Sequence, residues 1–400
     1  MRTQTLLALA SGALAARPWL ENPDTGIELA IGDLPIGELP NVTSVVGLPD
    51  FEWVAQRYLP PANFTYYING AAGEYSYRNN KEVYHRYRLR PRMMVDITNV
   101  PNTLKLVPHP LPGRRSEADP VNSTTILGHT FSAPFFISPC ARAGRGHPNA
   151  EINFVRGAAA GNILYMPALL ADRTIEEIGE ARAEGQVLFQ QLYLENNETQ
   201  VVELFRRAEA AGAAAIVYTV DSAADGNRHR ARRFGVGSAD SSFTYITWDW
   251  YKRLTELTDL PIILKGIQTV EDVELAIRNK VPAIILSNHG GRQIDDSPSS
   301  LEVALEIYRK DRRLFDRIEI LADGGVRYGT DAIKLLALGV KAVGLGRPFM
   351  FANIFGQEGV EHAIELMRFE LEIDLGNLGV PALDRLDASY VEWTPNNWAM

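Results

Sequence analysis

The sequence predicts an α/β fold, a closed (β/α)8 TIM barrel with an N-terminal extended arm and a helical cap. Eight short, almost continuously apolar runs recur between residues 135 and 346, as expected of parallel strands that are buried on both faces. The stretches between the runs carry apolar residues at helical spacing. The runs are Phe135–Ser138, Ile163–Met166, Val187–Tyr193, Ala214–Asp221, Pro261–Ile267, Ala283–Asn288, Ile318–Asp323 and Ala342–Gly346. Strand–helix units over about 250 residues match the usual size of such a barrel.

The stretch after the fifth run illustrates the helical spacing. Val270, Val273 and Ile277 fall on one face of a helix. Thr269 stands where an N-cap residue is expected, because its hydroxyl can accept a hydrogen bond from a free backbone N–H. Two units later, Gly339 stands where a helix is expected to end, since glycine readily adopts the left-handed conformation of a C-terminal cap.

A doubly wound open sheet is the alternative architecture. Such a sheet carries a Gly-x-Gly-x-x-Gly motif after its first strand, where the glycines admit a pyrophosphate. The residues after the first run, 143–146, read Ala-Gly-Arg-Gly and lack that spacing. The barrel is therefore the favoured prediction.

The composition indicates a globular enzyme. Of 400 residues, 46% are hydrophobic and 22% are charged, as in ordinary folded domains. The 40 Lys and Arg residues and the 49 Asp and Glu residues give a formal net charge of −9, whereas nucleic acids and anionic membranes favour positively charged partners. The single cysteine, Cys140, excludes an internal disulfide and a cysteine-based metal centre. We therefore expect neither nucleic acid nor a membrane as a partner.

The N-terminal region predicts a secreted protein. Residues 1–15 have the pattern of a signal peptide, with Arg2 before an apolar run and an Ala-Leu-Ala cleavage pattern; a buried helix is the alternative. Residues 16–50, rich in Pro, Gly and Asp, are predicted to form the extended arm, and residues 51–400 the catalytic domain. Within that domain, residues 51–95 mix tyrosines with arginines and predict the cap. Sequons for N-glycosylation add minor support for secretion; they lie at Asn41, Asn63, Asn122 and Asn197.

Polar side chains end most of the predicted strands. Chemistry in such barrels gathers at the C-terminal ends of the strands, and a packed core has no need of polar groups that lose their hydration. In chain order the strand ends carry Cys140, Gln191 with Tyr193, Thr219 with Asp221, Lys265, Asn288 with His289, Asp323 and Arg347. The sequence therefore predicts an active site at this mouth of the barrel.

Four positions suggest a reaction on a small carboxylate. His289 is the candidate general base, and Asp221 is the candidate partner that would orient it and stabilise the imidazolium. Arg228 follows the fourth run, and Arg292 follows His289 by three positions. Two guanidinium groups near one mouth favour a carboxylate through charge-assisted hydrogen bonds.

The ends of the seventh and eighth runs suggest a phosphate site. Gly324 and Gly325 close the seventh run, and Gly346 with Arg347 closes the eighth. Glycines there let backbone N–H groups approach an anion, and phosphate sites in barrels commonly lie at these strands. Lys265, from the fifth run, is expected beside an electron-accepting ring.

The segment from Ser287 to Gln293 resembles the active-site motif of the FMN-dependent α-hydroxy acid oxidases and dehydrogenases. This family includes glycolate oxidase, lactate oxidase, mandelate dehydrogenase and lactate monooxygenase. The resemblance extends from about Phe51 to about Leu378. Its other motifs are Tyr66–Ala71, Arg90–Arg92, Gln191–Tyr193, Thr219–Asp221, Leu264–Gly266, Asp323–Arg327 and Gly346–Pro348.

The resemblance implies FMN as the cofactor and the oxidation of an (S)-2-hydroxy acid to the 2-oxo acid. It assigns catalysis to His289, Asp221 and Tyr193, and substrate binding to Tyr66, Arg228, Arg292 and Tyr193. It places around FMN the residues Pro139, Cys140, Ala141, Ala168, Gln191, Thr219, Lys265, Ser287, Asp323, Gly324, Gly325, Arg327, Gly346 and Arg347. It also implies a homo-oligomer, a tetramer or an octamer.

The electron acceptor is expected to be O₂, with H₂O₂ as product, because residues 16–50 are too few to hold a haem domain. A reaction of the lactate monooxygenase type, an acceptor-linked dehydrogenase and a non-catalytic flavin- or ligand-binding barrel are the alternatives. A secreted glycoside hydrolase would need two carboxylates about 5–10 Å apart. The strand ends offer only Asp221 and Asp323 for that chemistry.

Three departures from the family pattern bear on reactivity and substrate. Cys140 stands where members often carry Ser or Thr, and residues 168–170 are apolar where many members carry hydroxyl groups. Only 19 residues separate Arg228 from Trp248, fewer than in many members. This short interval predicts a more open site and a bulkier substrate.

Overall fold

Eight parallel strands close into a barrel in the computed structural model, which describes residues 25–97, 123–237 and 246–396. Strands that are consecutive in the chain pair in parallel, and the last strand pairs with the first. The strands are β1 Phe135–Ile137, β2 Leu164–Tyr165, β3 Leu188–Leu192, β4 Ala213–Thr219, β5 Ile262–Ile267, β6 Ala283–Leu286, β7 Glu319–Asp323 and β8 Val343–Leu345. The predicted (β/α)8 barrel is confirmed, and each predicted run overlaps one strand.

A helix follows each strand and packs outside the barrel. These helices are α1 Glu151–Gly161, α2 Ile175–Glu180, α3 Glu198–Ala210, α4 Trp248–Leu254, α5 Val270–Arg278, α6 Ser300–Asp311, α7 Gly329–Leu338 and α8 Gly356–Leu378. Thr269 caps α5 as predicted, since its Oγ1 accepts a hydrogen bond from Asp272 N at 3.1 Å. Gly339 ends α7 with a φ of 111°, the left-handed conformation that glycine adopts readily.

Shorter elements fill the connections. Helices His229–Arg233, Leu314–Arg317 and Arg347–Ala352 lie in the loops after β4, before β7 and after β8. Single 3-10 turns lie at Val42–Ser44, Val83–Arg86, Ala143–Arg145, Asn353–Phe355, Leu383–Arg385 and Ala388–Tyr390. Strand Arg88–Leu89 pairs antiparallel with strand Val391–Glu392 near the C-terminus.

The interior of the barrel is a packed apolar core that is closed at its N-terminal end. Fully buried side chains meet there: Phe136, Leu164, Phe189, Val217, Ile263, Ile285 and Leu321. A hairpin of Thr124–Ile126 and His129–Phe131 lies across this end, where Leu127 N donates to the Glu319 carboxylate at 3.0 Å at the start of β7. Because the described residues fill this end, we expect a ligand site at the C-terminal mouth.

The N-terminal segment is more structured than the predicted extended arm. Within 25–50 the chain forms helix Ile27–Ile31, and helix Leu48–Tyr58 begins before the segment ends. Val45 is 1% exposed, and its carbonyl is 2.7 Å from His362 Nε2 on α8. Burial of Val45 beside α8 is favourable because it releases water from the apolar surface, and composition alone does not reveal this packing.

Two sequence predictions at the N-terminal side lie outside the described residues: the signal peptide at 1–15 and the sequon at Asn122. Across residues 25–97, 123–237 and 246–396, no helix is both long and apolar enough to span a bilayer.

The cap consists of helices Pro61–Ile68 and Tyr75–Glu82, which lie over the C-terminal mouth. Backbone bonds join the cap to the loop after β6, where Ala71 N donates to Gly291 O at 2.8 Å. A half-buried ion pair between Glu74 and Arg230 joins the cap to the loop after β4. The cap is therefore fastened to two loops that carry predicted site residues.

The turn from β7 to α7 is held by carboxylates that accept three successive backbone N–H groups. Asp331 Oδ2 accepts from Arg327 N at 3.0 Å and from Tyr328 N at 3.1 Å. Glu370, on α8, accepts from Gly329 N at 2.7 Å. Burial, together with the charges of Asp374 and Asp331, raises the pKa of Glu370 to about 7. This turn presents Arg327 to the mouth, so its carboxylates support the site indirectly.

Replacing Glu370 with glutamine is expected to stabilise the protein at pH 8 by about 1 kcal/mol, a value discounted for the solvent that reaches this half-buried group. The raised pKa means that the folded protein holds the proton more tightly than the unfolded chain. The contribution of Glu370 to the free energy of unfolding is therefore greatest below the ordinary pKa of 4.5, and it is lost as the pH rises through about 7. Glutamine does not ionise, so the advantage of the variant should vanish near pH 4.5.

Thermal unfolding at a series of pH values between these limits measures the effect. Glu358→Gln, an exposed change on the same helix, is the control and should not stabilise the protein at pH 8, because a carboxylate in the first turn of a helix is favourable. A stability difference for Glu370→Gln that is equal at both ends of the pH range would contradict the expectation.

Candidate active site

Two adjoining cavities lie at the C-terminal mouth of the barrel. The larger cavity encloses about 720 Å³ and the smaller about 360 Å³, in both cases including space that is open to solvent. The larger cavity is lined by Pro139, Cys140, Ala141, Lys265, Asp323, Gly324, Gly325, Arg327, Gly346 and Arg347, among others. The smaller cavity is lined by Ala168, Leu170, Gln191, Tyr193 and Thr219, among others. Both cavities share Tyr66, His289 and Arg292, so these side chains stand between them.

Most predicted site residues therefore meet at one mouth, although they come from different strands. Three of them line neither cavity but contact residues that do. Asp221 bonds to His289, Ser287 bonds to Lys265, and Arg228 bonds to the backbone of Arg292.

His289 and Asp221 form a close pair, with 2.7 Å between Nδ1 and Oδ1. The Asp221 side chain is fully buried, and the His289 side chain is 11% exposed. A carboxylate at this distance favours the tautomer in which Nδ1–H donates to Asp221, which leaves Nε2 as the basic nitrogen. His289 has a φ of 58°, an uncommon conformation for a residue with a side chain. Its own N–H donates to Ser287 Oγ at 3.1 Å, which helps to hold this conformation.

The electrostatics of the pair favour a neutral base. Burial lowers the pKa of His289 to about 4, and the charges of Lys265 and Arg292 act in the same direction, against the attraction of Asp221. Burial alone would raise the pKa of Asp221, but His289 and Lys265 outweigh it and hold that pKa below its usual value. At neutral pH the pair is therefore a neutral imidazole beside a carboxylate, ready to accept a proton.

Replacing Asp221 with asparagine is expected to slow flavin reduction by a 2-hydroxy acid about 10²-fold, because a neutral amide does not stabilise the imidazolium that forms. Flavin content should stay the same, since Asp221 lines neither cavity. Anaerobic reduction followed by absorbance measures the rate. An unchanged rate would remove Asp221 from this role.

Arg292 and Tyr66 present buried donors at the wall that the two cavities share. Nε and Nη2 of Arg292 and the hydroxyl of Tyr66 are buried, and none has a hydrogen-bond partner within residues 25–97, 123–237 and 246–396. The Arg292 guanidinium carbon is 5.9 Å from the centre of the Tyr66 ring. A buried donor without an acceptor is unfavourable by about 1–3 kcal/mol, so this arrangement fits an anion with several oxygen atoms, such as a carboxylate.

Arg228 lies behind Arg292 and lines neither cavity. Its Nε donates to the Arg292 carbonyl at 2.9 Å, and its Nη2 donates to Gln293 Oε1. Burial and the charge of Arg292 lower the pKa of Arg228. The substrate contact predicted for Arg228 stays a prediction, and these bonds show that the side chain also supports the loop carrying Arg292.

Lys265 is a buried cation between the two cavities. Its Nζ donates to Ser287 Oγ at 2.9 Å and lies 3.5 Å from Asp323 Oδ2. Ser138 Oγ also donates to Asp323 Oδ2, at 3.3 Å. Burial alone would lower the pKa of Lys265, but the nearby carboxylates of Asp323 and Asp221 outweigh it and raise that pKa. Lys265 therefore stays charged and can stabilise negative charge on a bound ring.

The residues of the larger cavity fit a flavin with a phosphate. A Cβ on Gly325, which has a φ of 83°, would lie 1.7 Å from Asn80 O, and a Cβ on Gly346 would lie 3.0 Å from Cys140 Sγ. These glycines leave backbone along the cavity wall, as an anion-binding loop needs. In the smaller cavity, Gln191 Nε2 donates to Thr219 Oγ1 at 3.0 Å, which presents amide and hydroxyl groups to a ligand.

Arg347 lines the larger cavity, where a phosphate contact is predicted, and its guanidinium also binds three backbone carbonyls. Its Nε, Nη1 and Nη2 donate to the carbonyls of Tyr67, Gly290 and Asn69 at 2.7, 3.0 and 2.8 Å. These bonds join the loop after β8 to the cap and to the loop after β6. Arg327 also lines the larger cavity, and its Nη2 lies 3.7 Å from Glu52 Oε2.

Sequence reasoning missed several residues that shape the site. Ser138 is the last residue of the first predicted run, so its polarity at a strand end was an available signal. Asn80 and Asn288 exchange two side-chain hydrogen bonds, of 2.7 and 2.9 Å, which bind the cap to the His289 loop. No local pattern marks Asn80, because its partner lies 208 positions away in the chain.

Comparison with known proteins agrees with this geometry. A family model described as FMN-dependent dehydrogenase matches residues 55–243 and 238–393. The chain is 34% identical to the L-lactate dehydrogenase (cytochrome) of Wickerhamomyces anomalus, covering 87% of this chain and 61% of that protein. It is 32% identical to the L-lactate oxidase of a Nostoc species, covering 88% of this chain and 99% of that protein.

Solved structures show the same fold. The flavin-binding domain of baker's yeast flavocytochrome b2 matches with a TM-score of 0.81 and 34% identity, covering 93% of both chains. A mandelate oxidase structure matches with a TM-score of 0.76 and 32% identity, covering 87% of this chain and 98% of that one. The chain belongs to the family of FMN-dependent hydroxy acid oxidases and dehydrogenases, and FMN is the cofactor of this family.

Proposed function

We propose that this protein oxidises an (S)-2-hydroxy acid to the 2-oxo acid, and that O₂ takes up the electrons to give H₂O₂. One observation carries the proposal. The basic nitrogen of the His289–Asp221 pair and the buried donors of Arg292 and Tyr66 share the wall between two cavities. A base and an anion clamp at one place are what the oxidation of a small hydroxy acid requires.

Each side chain has a separate role in the proposed reaction. Arg292 and Tyr66 bind the substrate carboxylate, which fixes the carbon that carries the hydroxyl group. Burial raises the pKa of Tyr193, so its hydroxyl stays protonated and can donate to the substrate hydroxyl. Nε2 of His289 accepts one proton from the substrate, and Asp221 stabilises the imidazolium. FMN, when bound by Lys265 and the glycine loops, accepts the remaining two electrons and proton.

The comparisons support O₂ as the acceptor. The L-lactate oxidase of Nostoc matches along 99% of its length, and a peroxisomal (S)-2-hydroxyacid oxidase of Arabidopsis thaliana along 96%. An acceptor-linked dehydrogenase is the second candidate. It is favoured by the 34% identity to L-lactate dehydrogenases (cytochrome), although the chain spans only 61% of their length.

Anaerobic reduction of the purified yellow protein tests the proposal. The flavin absorbance near ~450 nm should bleach on addition of a 2-hydroxy acid. O₂ should then restore the colour faster than cytochrome c does, with one H₂O₂ and one 2-oxo acid formed per turnover. A decarboxylated acid without H₂O₂ would indicate a monooxygenase, and faster reaction with cytochrome c a dehydrogenase. Failure of every hydroxy acid to bleach the flavin would indicate a non-catalytic barrel.

A panel of glycolate, lactate, 2-hydroxyoctanoate and mandelate tests the size of the substrate. The short interval between Arg228 and Trp248 predicts the highest kcat/KM for one of the bulkier acids. Residues 238–245 of this interval lie outside the described residues. A strict preference for glycolate would contradict the prediction.

We also propose secretion and a homo-oligomer, which the N-terminal pattern and the family resemblance suggest. If the chain is glycosylated, Asn41 and Asn197 are the accessible described sequons, because both side chains are exposed. Asn63 differs, since its Nδ2 donates to Arg145 O at 3.0 Å. Peptide mapping of the exported protein, and its mass by light scattering, would test both proposals.

A further inference from the structure

The ring of Tyr66 contacts two guanidinium groups. The Arg145 guanidinium carbon lies 4.7 Å from the ring centre, and that of Arg292 lies 5.9 Å from it. Both distances fall within the range of cation–π interactions. Arg292 lines both cavities, whereas Arg145 lines neither. Arg145 therefore lies outside the cavity lining, with its guanidinium against the Tyr66 ring.

Arg145 is itself held in place by the helix that carries Tyr66. Arg145 Nη1 donates to Asn63 Oδ1 at 3.1 Å, and Asn63 Nδ2 donates to Arg145 O at 3.0 Å. Asn63 precedes Tyr66 by three residues on helix Pro61–Ile68, a spacing that places both side chains on adjoining positions of the helix surface. The two bonds with Asn63 therefore hold the Arg145 guanidinium beside the Tyr66 ring.

We propose that Arg145 is a positioning residue for the substrate carboxylate and that it acts through the hydroxyl of Tyr66. This inference rests on the proposed function, in which Tyr66 and Arg292 bind that carboxylate. A cation against the ring holds the ring in one orientation. It also draws electron density from the phenol, which makes the buried hydroxyl a stronger donor to an anion. The Tyr66 hydroxyl has no partner of its own in the described part of the chain, so an incoming carboxylate oxygen is the acceptor that it lacks.

Replacing Arg145 with methionine should raise KM for the 2-hydroxy acid about three- to tenfold and leave kcat nearly unchanged. The carboxylate is not altered by the reaction, so its contacts are alike in the ground state and the transition state, and their loss appears in KM. The Kd of oxalate, a non-reacting dicarboxylate, should rise by the same factor when its binding is followed by the flavin spectrum. Arg145→Lys keeps the cation and should restore much of the binding.

A double-mutant cycle separates this role from a structural one. In a Tyr66→Phe background, Arg145→Met should change the Kd of oxalate by less than twofold, because the hydroxyl through which Arg145 acts is gone. Equal effects in both backgrounds would overturn the proposal. Asn63→Ala removes the bonds that hold the Arg145 guanidinium, so it should also raise the Kd of oxalate, by a smaller factor than Arg145→Met. If Arg145→Met fails to fold, Asn63→Ala tests the proposal in its place.

Arg142→Met is the matched control. Arg142 lies three residues earlier in the same loop, is exposed, and pairs with Asp172 at 3.1 Å instead of contacting Tyr66. The Arg142→Met variant should bind oxalate with the same Kd as the parent protein. Oxalate binding needs no turnover, so a parent protein that binds oxalate but oxidises no hydroxy acid would refute the proposed function alone. Unchanged oxalate binding in Arg145→Met, or a parent protein that does not bind oxalate, would overturn the role of Arg145.

Discussion

Replacing His289 with glutamine is expected to slow flavin reduction by a 2-hydroxy acid by about 10⁴-fold or more while the protein stays yellow. Glutamine keeps a side-chain donor that can reach Asp221, but it has no nitrogen that accepts a proton near neutral pH. Flavin binding should persist, because Lys265 and the glycine loops hold the flavin from other strands. Stopped-flow absorbance under anaerobic conditions measures the reduction rate, and the released flavin measures occupancy.

The pH profile of the parent protein gives a second readout of His289. Only the neutral imidazole can accept a proton, and burial lowers the pKa of His289 to about 4. The reduction rate should therefore fall as the pH drops through about 4 and, as far as His289 is concerned, stay level up to neutral pH. The glutamine variant should lack this acid limb.

His129→Gln provides the control for the histidine substitution. His129 lies in the hairpin that closes the opposite end of the barrel, so its replacement should leave the reduction rate unchanged. Rapid flavin reduction in His289→Gln would remove His289 from the role of base.

Replacing Arg292 with methionine is expected to lower kcat/KM for 2-hydroxy acids by about 10³-fold, as the loss of a buried charged hydrogen-bonding partner does elsewhere. Nε and Nη2 of Arg292 are two of the donors that we propose bind the carboxylate, and both are buried at the wall that the cavities share. Methionine keeps much of the side-chain length but offers no N–H group. Arg292→Lys should recover part of the loss, because it returns the charge without the planar pair of donors.

Steady-state kinetics and oxalate titration measure this effect. Arg232→Met is the control, because Arg232 is an exposed arginine in the loop after β4 and lines neither cavity. A kcat/KM for Arg292→Met within tenfold of the parent value would show that the carboxylate binds elsewhere.

The position of the base was predictable from the sequence because it depends on local order along the chain. His289 follows a run of apolar residues, and a strand buried on both faces must be apolar along its whole length. The end of that run therefore marks the barrel mouth. The same argument located Asp323, which ends β7, and Lys265, which lies near the C-terminal end of β5, and it explains why the barrel prediction is confirmed.

The roles of the arginines were less predictable, because a guanidinium group bonds to whatever acceptors the fold brings near it. Arg228 and Arg347 were both expected to contact ligands. The structure adds bonds that the sequence did not reveal, from Arg347 to three backbone carbonyls and from Arg228 to the Arg292 carbonyl and the Gln293 side chain. The packing of the N-terminal segment was not predictable for a related reason. Val45 is buried by α8, more than 300 positions away, and no local spacing reveals that contact.

The sequence by itself determined the strands, the mouth at which their ends gather, and the position of the candidate base, since hydrophobic periodicity is a property of neighbouring residues. Only the tertiary structure decided which arginine faces the shared wall, that Asn80 fastens the cap to the His289 loop, and that Arg145 stacks on Tyr66. Those contacts join residues from about 80 to more than 200 positions apart. Closure of the barrel and docking of the cap bring these residues together. Because a buried donor without a partner is unfavourable, each buried donor then tends to bind an acceptor that lies nearby.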